Sequence, residues 1–435
     1  MTNAKTSKIG GNKSTTKKLV IMTLYTVLFL LVFRFGTFIQ LPFINPAYLM
    51  AETTAFGFLD VFSGGALSNF SILALGISPY ITASIVIQLL QMDIVPALKE
   101  WSEEGPAGKQ KINQLTRYLA LGLAFVQALT ITIGLGVGET SNLLVAGSRA
   151  NPFTFVYLAL VATAGTAFSL WLAEQITAKG VGNGTSMLIV AGILATFPAM
   201  FGQLIAMFLT TGVFGDIIKF VIIILLFLVI IVGIVFMEAA QRKIPIQYAN
   251  RPASAALRGQ SASNIPIKLN SASVIPVIFA ATLMSLPTTI VQVTGSETTG
   301  WGTWLNLIFS QTEVIGFAMY IILIFVFSFF YSFLQMNPEK MAENLQKNNA
   351  YIPGVRPGDD TASYISRVLF KITMIGATYL AIISSIPILM MKIFNLPASI
   401  QIGGTGLIIV VGVALETAKQ IRNISQEKQY RGFIN

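Results

Sequence analysis

The chain contains no cysteine and no histidine. The first absence excludes disulfides and thiol chemistry; the second removes the commonest general base and the commonest metal ligand. Charge is scarce as well: Asp, Glu, Lys and Arg make up 11% of the 435 residues, where a water-soluble domain carries about 25%. No G-x-x-x-x-G-K-[ST] run occurs, so the phosphate loop by which many proteins use ATP is missing. Gly180-x-Gly182-x-Gly184 imitates a dinucleotide fingerprint. It follows an apolar helix instead of a strand, which leaves a tight turn as its reading.

What is present is apolar. Hydrophobic residues make up 54% of the chain and the mean hydropathy is +0.73. With so few charges, most of the surface must face lipid. A helix crossing a bilayer takes about 20 mostly apolar residues. Runs at 19–38, 75–95, 118–137, 153–176, 186–209, 217–237, 273–293, 314–334, 370–392 and 403–417 meet that need. No strand alternation suited to a membrane barrel competes with them. The first run lacks a small-residue cleavage site and reads as a retained anchor. The expected fold is an all-α membrane protein, with ten transmembrane helices in two inverted five-helix halves around a central pore. Five spans per half make the halves insert in opposite senses, with the path between them. The expected units are a tail at 1–18, an N-terminal half at 19–209, a C-terminal half at 210–423 and a tail at 424–435. The joint falls at 210–216. The polar, turn-rich loops 239–270 and 335–366 are expected to fold as finger-like projections.

Basic residues set orientation. Lys5, Lys8, Lys13, Lys17 and Lys18 precede the first run, and Lys99, Lys109, Lys111 and Arg117 follow the second. Arg242, Lys243, Arg251, Arg258 and Lys268 fill the first long loop; Lys340, Lys347, Arg356, Arg367 and Lys371 fill the next; Lys419, Arg422, Lys428 and Arg431 close the chain. The opposite loops offer little beyond Arg149, Lys219 and Lys392. Both termini are therefore expected in the cytoplasm, with the net charge of +10 gathered on that face. Such a face suits topology alone, or docking of an acidic partner.

Ile77, Ile81 and Ile85 recur every fourth residue and stack on one helix face. Such a stripe serves equally as a core or lipid face, or as a collar. Isoleucine is bulky, stiff at χ1 and without hydrogen-bonding groups, so a collar of it lets any sequence slide while resisting ions. Upstream, Gly64-Gly65 breaks a weakly apolar segment that Asp60 and Ser63 keep from anchoring in lipid. Each glycine costs a helix about 1 kcal/mol, which fits an element that must come and go. Gln88 and Gln127 are polar groups inside apolar runs, fit for bonds between helices or for a breakable latch. Arg34 lies in the first run and either pairs with an interior polar group or marks that helix end. Glu174, Glu238 and Glu416 fall near span ends, where hydration is expected. Arg356 stands between Pro353 and Pro357, which restrict the backbone that presents it.

Several stretches occur together, in order: FSGGAL at 62–67, GISPYITASIVIQLL at 76–90, KINQLTRY at 111–118, WLAEQITAKGVGNGTSM at 171–187, QRKIPIQYA at 241–249, IPIKLNSASVIPVIFA at 265–280, NPEKMAENLQKNNAYIPGVRPG at 337–358 and IGGTGLIIVVGVALE at 402–416. In these the chain resembles the SecY family of protein-conducting channels, from Arg34 to its end. The resemblance implies halves that part like a clamshell, passing unfolded secretory polypeptides across a bacterial plasma membrane and releasing membrane segments sideways. It implies a mid-membrane ring of Ile77, Ile81, Ile189, Ile278 and Ile409, and a plug at about 55–70 that includes Phe62, Ser63, Gly64 and Gly65. A lateral gate would lie between the second and third helices on one side and the seventh and eighth on the other, with Gln88, Gln127 and Thr282 as polar contacts. Arg242, Lys243 and Arg356 would dock partners at the cytoplasmic face. The implied partners are SecE-like and SecG-like membrane subunits, the SecA motor ATPase, the ribosome, signal sequences with their nascent chains, and membrane lipid. No cofactor, metal or catalytic residue is implied. An accessory channel for a few dedicated substrates is the neighbouring alternative. A small-solute transporter would need ionisable groups deep in the spans, which are few here. An intramembrane enzyme would lack histidine, cysteine and paired carboxylates.

Overall fold

The structure, a computed structural model, describes residues 7–44, 60, 63–91, 95–137, 152–209, 214–248, 263–293, 300–394, 396 and 398–431. Helices sit at each of the ten expected spans. In the first half these are α1 (Ser7–Gly36), α2 (Ser78–Leu90), α4 (Pro106–Val137), α5 (Pro152–Lys179) and α6 (Gly184–Phe208). In the second they are α7 (Phe214–Ala239), α8 (Ile275–Val293), α10 (Val314–Gln335), α12 (Asp359–Phe394) and α13 (Ala398–Arg431). Three short helices lie between them: α3 (Pro96–Glu103), α9 (Gly300–Phe309) and α11 (Pro338–Lys347). Among the described residues seven helices are long and apolar enough to cross a membrane, and Ser78–Leu90 and Ile275–Thr288 are shorter apolar helices. The expected span at 75–95 is shorter as a helix. Gly76 has φ +51°, and Pro79 occupies the first turn that follows, so the helix starts only at Ser78.

The burial pattern is that of helices in lipid. On α7 only Ile223, Phe227, Ile230, Ile234 and Glu238 are buried, at spacings of three and four. The remaining face is equally apolar yet exposed, with Leu225, Leu228, Val232 and Phe236 uncovered. A helix apolar all round with one narrow packed stripe has solvent other than water on its open side. The halves meet along two seams. On one, α6 packs against α7 and α13; on the other, α8 packs against α2 and α4. The first seam is tight: a Cβ on Gly406 would come within 2.7 Å of the Ile193 side chain. The residues 210–213 of the expected joint lie outside the described residues.

The two loops expected as fingers share one small sheet. Strands β1 (Gln241–Tyr248) and β2 (Ser263–Lys268) pair antiparallel, from Gln241 opposite Lys268 to Ile246 opposite Ser263. A two-residue strand, β3 (Ala350–Tyr351), joins the other edge of β1 at Gln247 and Tyr248. Ile244, Ile246 and Ile267 point inward and share a cluster with Ile352, Ile365, Val368, Leu369 and Ile372. The all-helical expectation thus holds for the spans but not here. Pro245 and Pro266 are tolerated because β3 covers only the end of β1, leaving prolines where no ladder donor is needed.

Candidate functional site

The five isoleucines expected as a ring come from four helices and both halves. Ile77 caps α2 and Ile81 sits one turn on; Ile189 is on α6, Ile278 on α8 and Ile409 on α13. Each is at most 8% exposed, and all belong to one apolar cluster with Ile85, Ile193 and Val277. These helices form the two seams, so the cluster lies where the halves meet. Its aliphatic side chains offer neither charge nor hydrogen bonds, and ions cross such a constriction only by shedding water.

Beside it lies the segment expected as a plug. Of that segment, Asp60 and residues 63–70 are described; Phe62 lies outside the described residues. Asp60 and Ser63 are helical, and residues 64–70 that follow make a run of turns around the Asp60 carboxylate. The Ser68 backbone N–H donates to Oδ1 at 2.8 Å and its hydroxyl to Oδ2 at 2.6 Å. Ser63 donates to the Asp60 carbonyl at 2.9 Å, and its Oγ accepts from the Leu67 N–H at 3.1 Å. Gly64 and Gly65 have φ of +72° and +82°, which explains why glycine stands at both. A Cβ on Gly64 would also lie 2.9 Å from the Gly192 Cα, so the segment rests backbone to backbone on α6. Arg34, whose role the sequence leaves open between two readings, donates from Nη1 to the Gly64 carbonyl at 2.6 Å.

The expected gate residues do not bond to one another. Gln88 on α2 donates to Ser84 Oγ at 3.0 Å and accepts from the Tyr331 hydroxyl on α10. Thr282 is buried on α8 and donates to its own helix at the Ile278 carbonyl, 2.8 Å away. Gln127 lines an apolar cavity of about 180 Å³ with Pro79, Thr82, Leu123, Leu286 and Ile290, where α2, α4 and α8 meet. Tyr331 is the residue that sequence reasoning missed. It is buried in an aromatic run, and Phe279 meets it edge-on at 5.2 Å between ring centres. An inter-helix bond in a membrane is worth roughly 0.6 to 2 kcal/mol. Tyr331→Phe should therefore favour an open seam by about three- to thirtyfold, read as faster crosslinking of a signal peptide to α2. Gln88→Leu should add little on top of it. Fully additive effects would separate the two residues.

At the base of the finger, Arg242 and Lys243 are exposed on β1, and Arg356 is exposed in the turn before α12. The Arg356 carbonyl accepts from the Thr361 hydroxyl at 2.7 Å, which fixes that turn. Glu174 is half-buried and pairs with Arg117 Nε at 2.6 Å. Glu238 departs from the expected hydration: it is 5% exposed. Lys419 lies 3.5 Å and Lys268 3.8 Å from its Oε1, and Lys419 also donates to its carbonyl at 2.8 Å. The base of the finger and the terminal helix fold over this carboxylate, and two lysines replace the water it loses. Among the described residues no group of acidic side chains is gathered to hold a metal.

A multi-pass helical membrane protein, its two halves closing on a buried aliphatic waist, is the class these features define. Solved structures share the fold. One described as the structure of a protein conducting channel aligns with TM-score 0.65 at 18% identity, covering 94% of this chain and 93% of that one. Another, of Sec61 in the canine ribosome-channel complex from the endoplasmic reticulum, aligns with TM-score 0.64 at 17% identity, over 94% and 93%. The likeness is one of fold: ten helices in two halves. The SecY family model matches residues 71–418. The protein translocase subunit SecY of Halalkalibacterium halodurans is 48% identical over 418 residues, 94% of this chain and 96% of the relative. That of Bacillus subtilis is 45% identical over 416 residues, 94% and 95%. This chain belongs to the SecY family.

Proposed function

We propose that this chain is the channel subunit of a protein translocase in a bacterial plasma membrane. It passes unfolded secretory polypeptides outward and releases membrane segments into lipid. The observation that carries this reading is the convergence of Ile77, Ile81, Ile189, Ile278 and Ile409, from both halves, into one buried aliphatic cluster. A seam that parts there opens a path without wetting a charged lining, and it reseals by apolar contact alone.

In this reading the plug is the segment at about 55–70, and the seam of α2 and α4 against α8 and α10 is the gate. A signal sequence enters at that seam, where each leucine-like residue gains about 0.3 to 0.6 kcal/mol on reaching lipid. The apolar cavity beside Gln127 is its first foothold. The gain over ten such residues exceeds the worth of the Gln88–Tyr331 bond. The basic excess places both termini and the finger in the cytoplasm. Arg242, Lys243 and Arg356 there meet an acidic partner: the ribosome, for which the Sec61 ribosome-channel complex is the precedent, or a SecA-type motor. With no phosphate loop in the chain, such a partner supplies the energy. SecE-like and SecG-like subunits would cover the lipid-facing helices. The two halves, 19–209 and 210–423, are the moving bodies.

Inside-out membrane vesicles carrying this chain with its partner subunits test the reading. A secretory precursor should become protease-protected in an energy-dependent way, and depletion of the chain should abolish that protection. Protection that persists without the chain, or solute uptake with no precursor entry, would overturn it.

A further inference from the structure

Arg34 stands in the last turn of α1 and reaches across 30 residues of sequence. A cation at a helix C-terminus is stabilised by the helix dipole alone and needs no distant partner. Arg34 nevertheless has one. Its Nη1 donates to the Gly64 carbonyl at 2.6 Å and to Thr37 Oγ1 at 3.2 Å. The Thr37 hydroxyl donates back to the Arg34 carbonyl at 2.7 Å, which holds it in place beside the guanidinium. The Phe38 ring packs 4.6 Å from the guanidinium carbon on another side. Thr37 and Phe38 hold the guanidinium toward Gly64.

The acceptor is equally specific. The Gly64 carbonyl meets Arg34 where residue 64 is left-handed and lies against Gly192. The same segment has a separate, backbone-only attachment further along. Leu41 N–H donates to the Phe70 carbonyl at 2.8 Å, and Ile72 N–H to the Ile39 carbonyl at 2.9 Å. The chain is thus tethered at 70–72 and gripped at 64. Swinging 63–69 away about that tether breaks the grip at Arg34 and leaves the tether intact. A charge-assisted bond in a low-dielectric setting is among the stronger single contacts available, and it is present in only one of the two states.

We propose that Arg34 is the latch of the plug, a selectivity-determining residue whose guanidinium keeps 63–69 seated and must release Gly64 before a polypeptide can pass. The inference rests on the channel reading given above.

The test uses the chain's lack of cysteine. Ala66 is fully buried in the seated segment. In an Ala66→Cys background, a membrane-impermeant maleimide added to cells reads how often the segment leaves. Arg34→Leu should raise the labelling rate by about ten- to a hundredfold, the worth of one charge-assisted hydrogen bond. Arg34→Lys keeps a cationic donor and should stay within a few-fold of the parent. Should the leucine variant fail to accumulate, Arg34→Gln replaces it and should label faster than Arg34→Lys. Precursors with damaged signal sequences should be exported more readily in the same order. Equal labelling of parent, lysine and leucine (or glutamine) forms would overturn the latch. If vesicles still translocate precursor in that case, the latch alone is wrong; if they do not, the channel reading has failed first.

Discussion

Replacing Ile278 with asparagine should let precursors with defective signal sequences through and make resting membranes leak ions. Ile278 is buried among aliphatic side chains from the facing helices, which on the channel reading is the closed state. Removing a buried isoleucine side chain costs about 2 to 5 kcal/mol, and leaving an amide without a partner there adds to it. On that reading the parted halves turn the same position toward a hydrated polypeptide, which would satisfy the amide. The cost therefore falls on the closed state alone. Even 2 kcal/mol moves the closed-to-open ratio by about 30-fold. Ile81→Asn should act the same way from α2. Ile278→Leu keeps volume and polarity and should be near neutral. Export of a reporter with a crippled signal sequence, together with ion conductance of the membrane, measures the effect. Unchanged stringency and an intact seal in both asparagine variants would remove the collar from the account.

Gly64→Val should unseat the plug, while Gly65→Val should do so far less. Both residues are left-handed, so both substitutions put a β-branched side chain where it costs more than about 1 kcal/mol. Only Gly64 has a backbone atom in the way: its Cβ would sit 2.9 Å from the Gly192 Cα, whereas nothing lies within 4 Å of a Cβ on Gly65. The obstacle is main chain in the middle of α6, which cannot rotate aside. The difference between the two variants isolates the close approach from the backbone strain. A steady ion leak in the Gly64 variant, with little in the Gly65 variant, is the expected pattern. Equal leaks would assign the whole effect to φ, and no leak in either would mean that this segment does not seal the membrane.

What the sequence makes legible is what is local. Ten runs of apolar residues announce the spans, because lipid demands about 20 such residues and tolerates few charges. The four-residue spacing of Ile77, Ile81 and Ile85 announces a helix face, and Gly64-Gly65 a break. What stayed hidden depends on partners far along the chain. Gln88 is visibly a polar group in lipid, but its acceptance from Tyr331 spans 243 residues. Tyr331 itself is camouflaged in FVFSFFYSF, where an aromatic reads as core. Arg34 presents two readings until Gly64 is brought to it. Glu238 looks hydrated until Lys268 and Lys419 arrive from two other segments. The finger strands left a trace, the alternation IPI in both QRKIPIQY and SNIPIK. Pro245 and Pro266 do not break the strands, because β3 reaches only the end of β1.

The central claim is that a waist of aliphatic side chains, contributed by both halves, is the narrowest point a translocating chain touches. A photo-crosslinking residue at position 81, with a secretory precursor stalled midway by a folded domain fused to its end, addresses it most directly. The account predicts a strong adduct from position 81 and equally from 278 and 409, and none from Leu228 on the lipid-facing side of α7. Adducts to lipid from 81, 278 and 409, with none to the stalled chain, would contradict it.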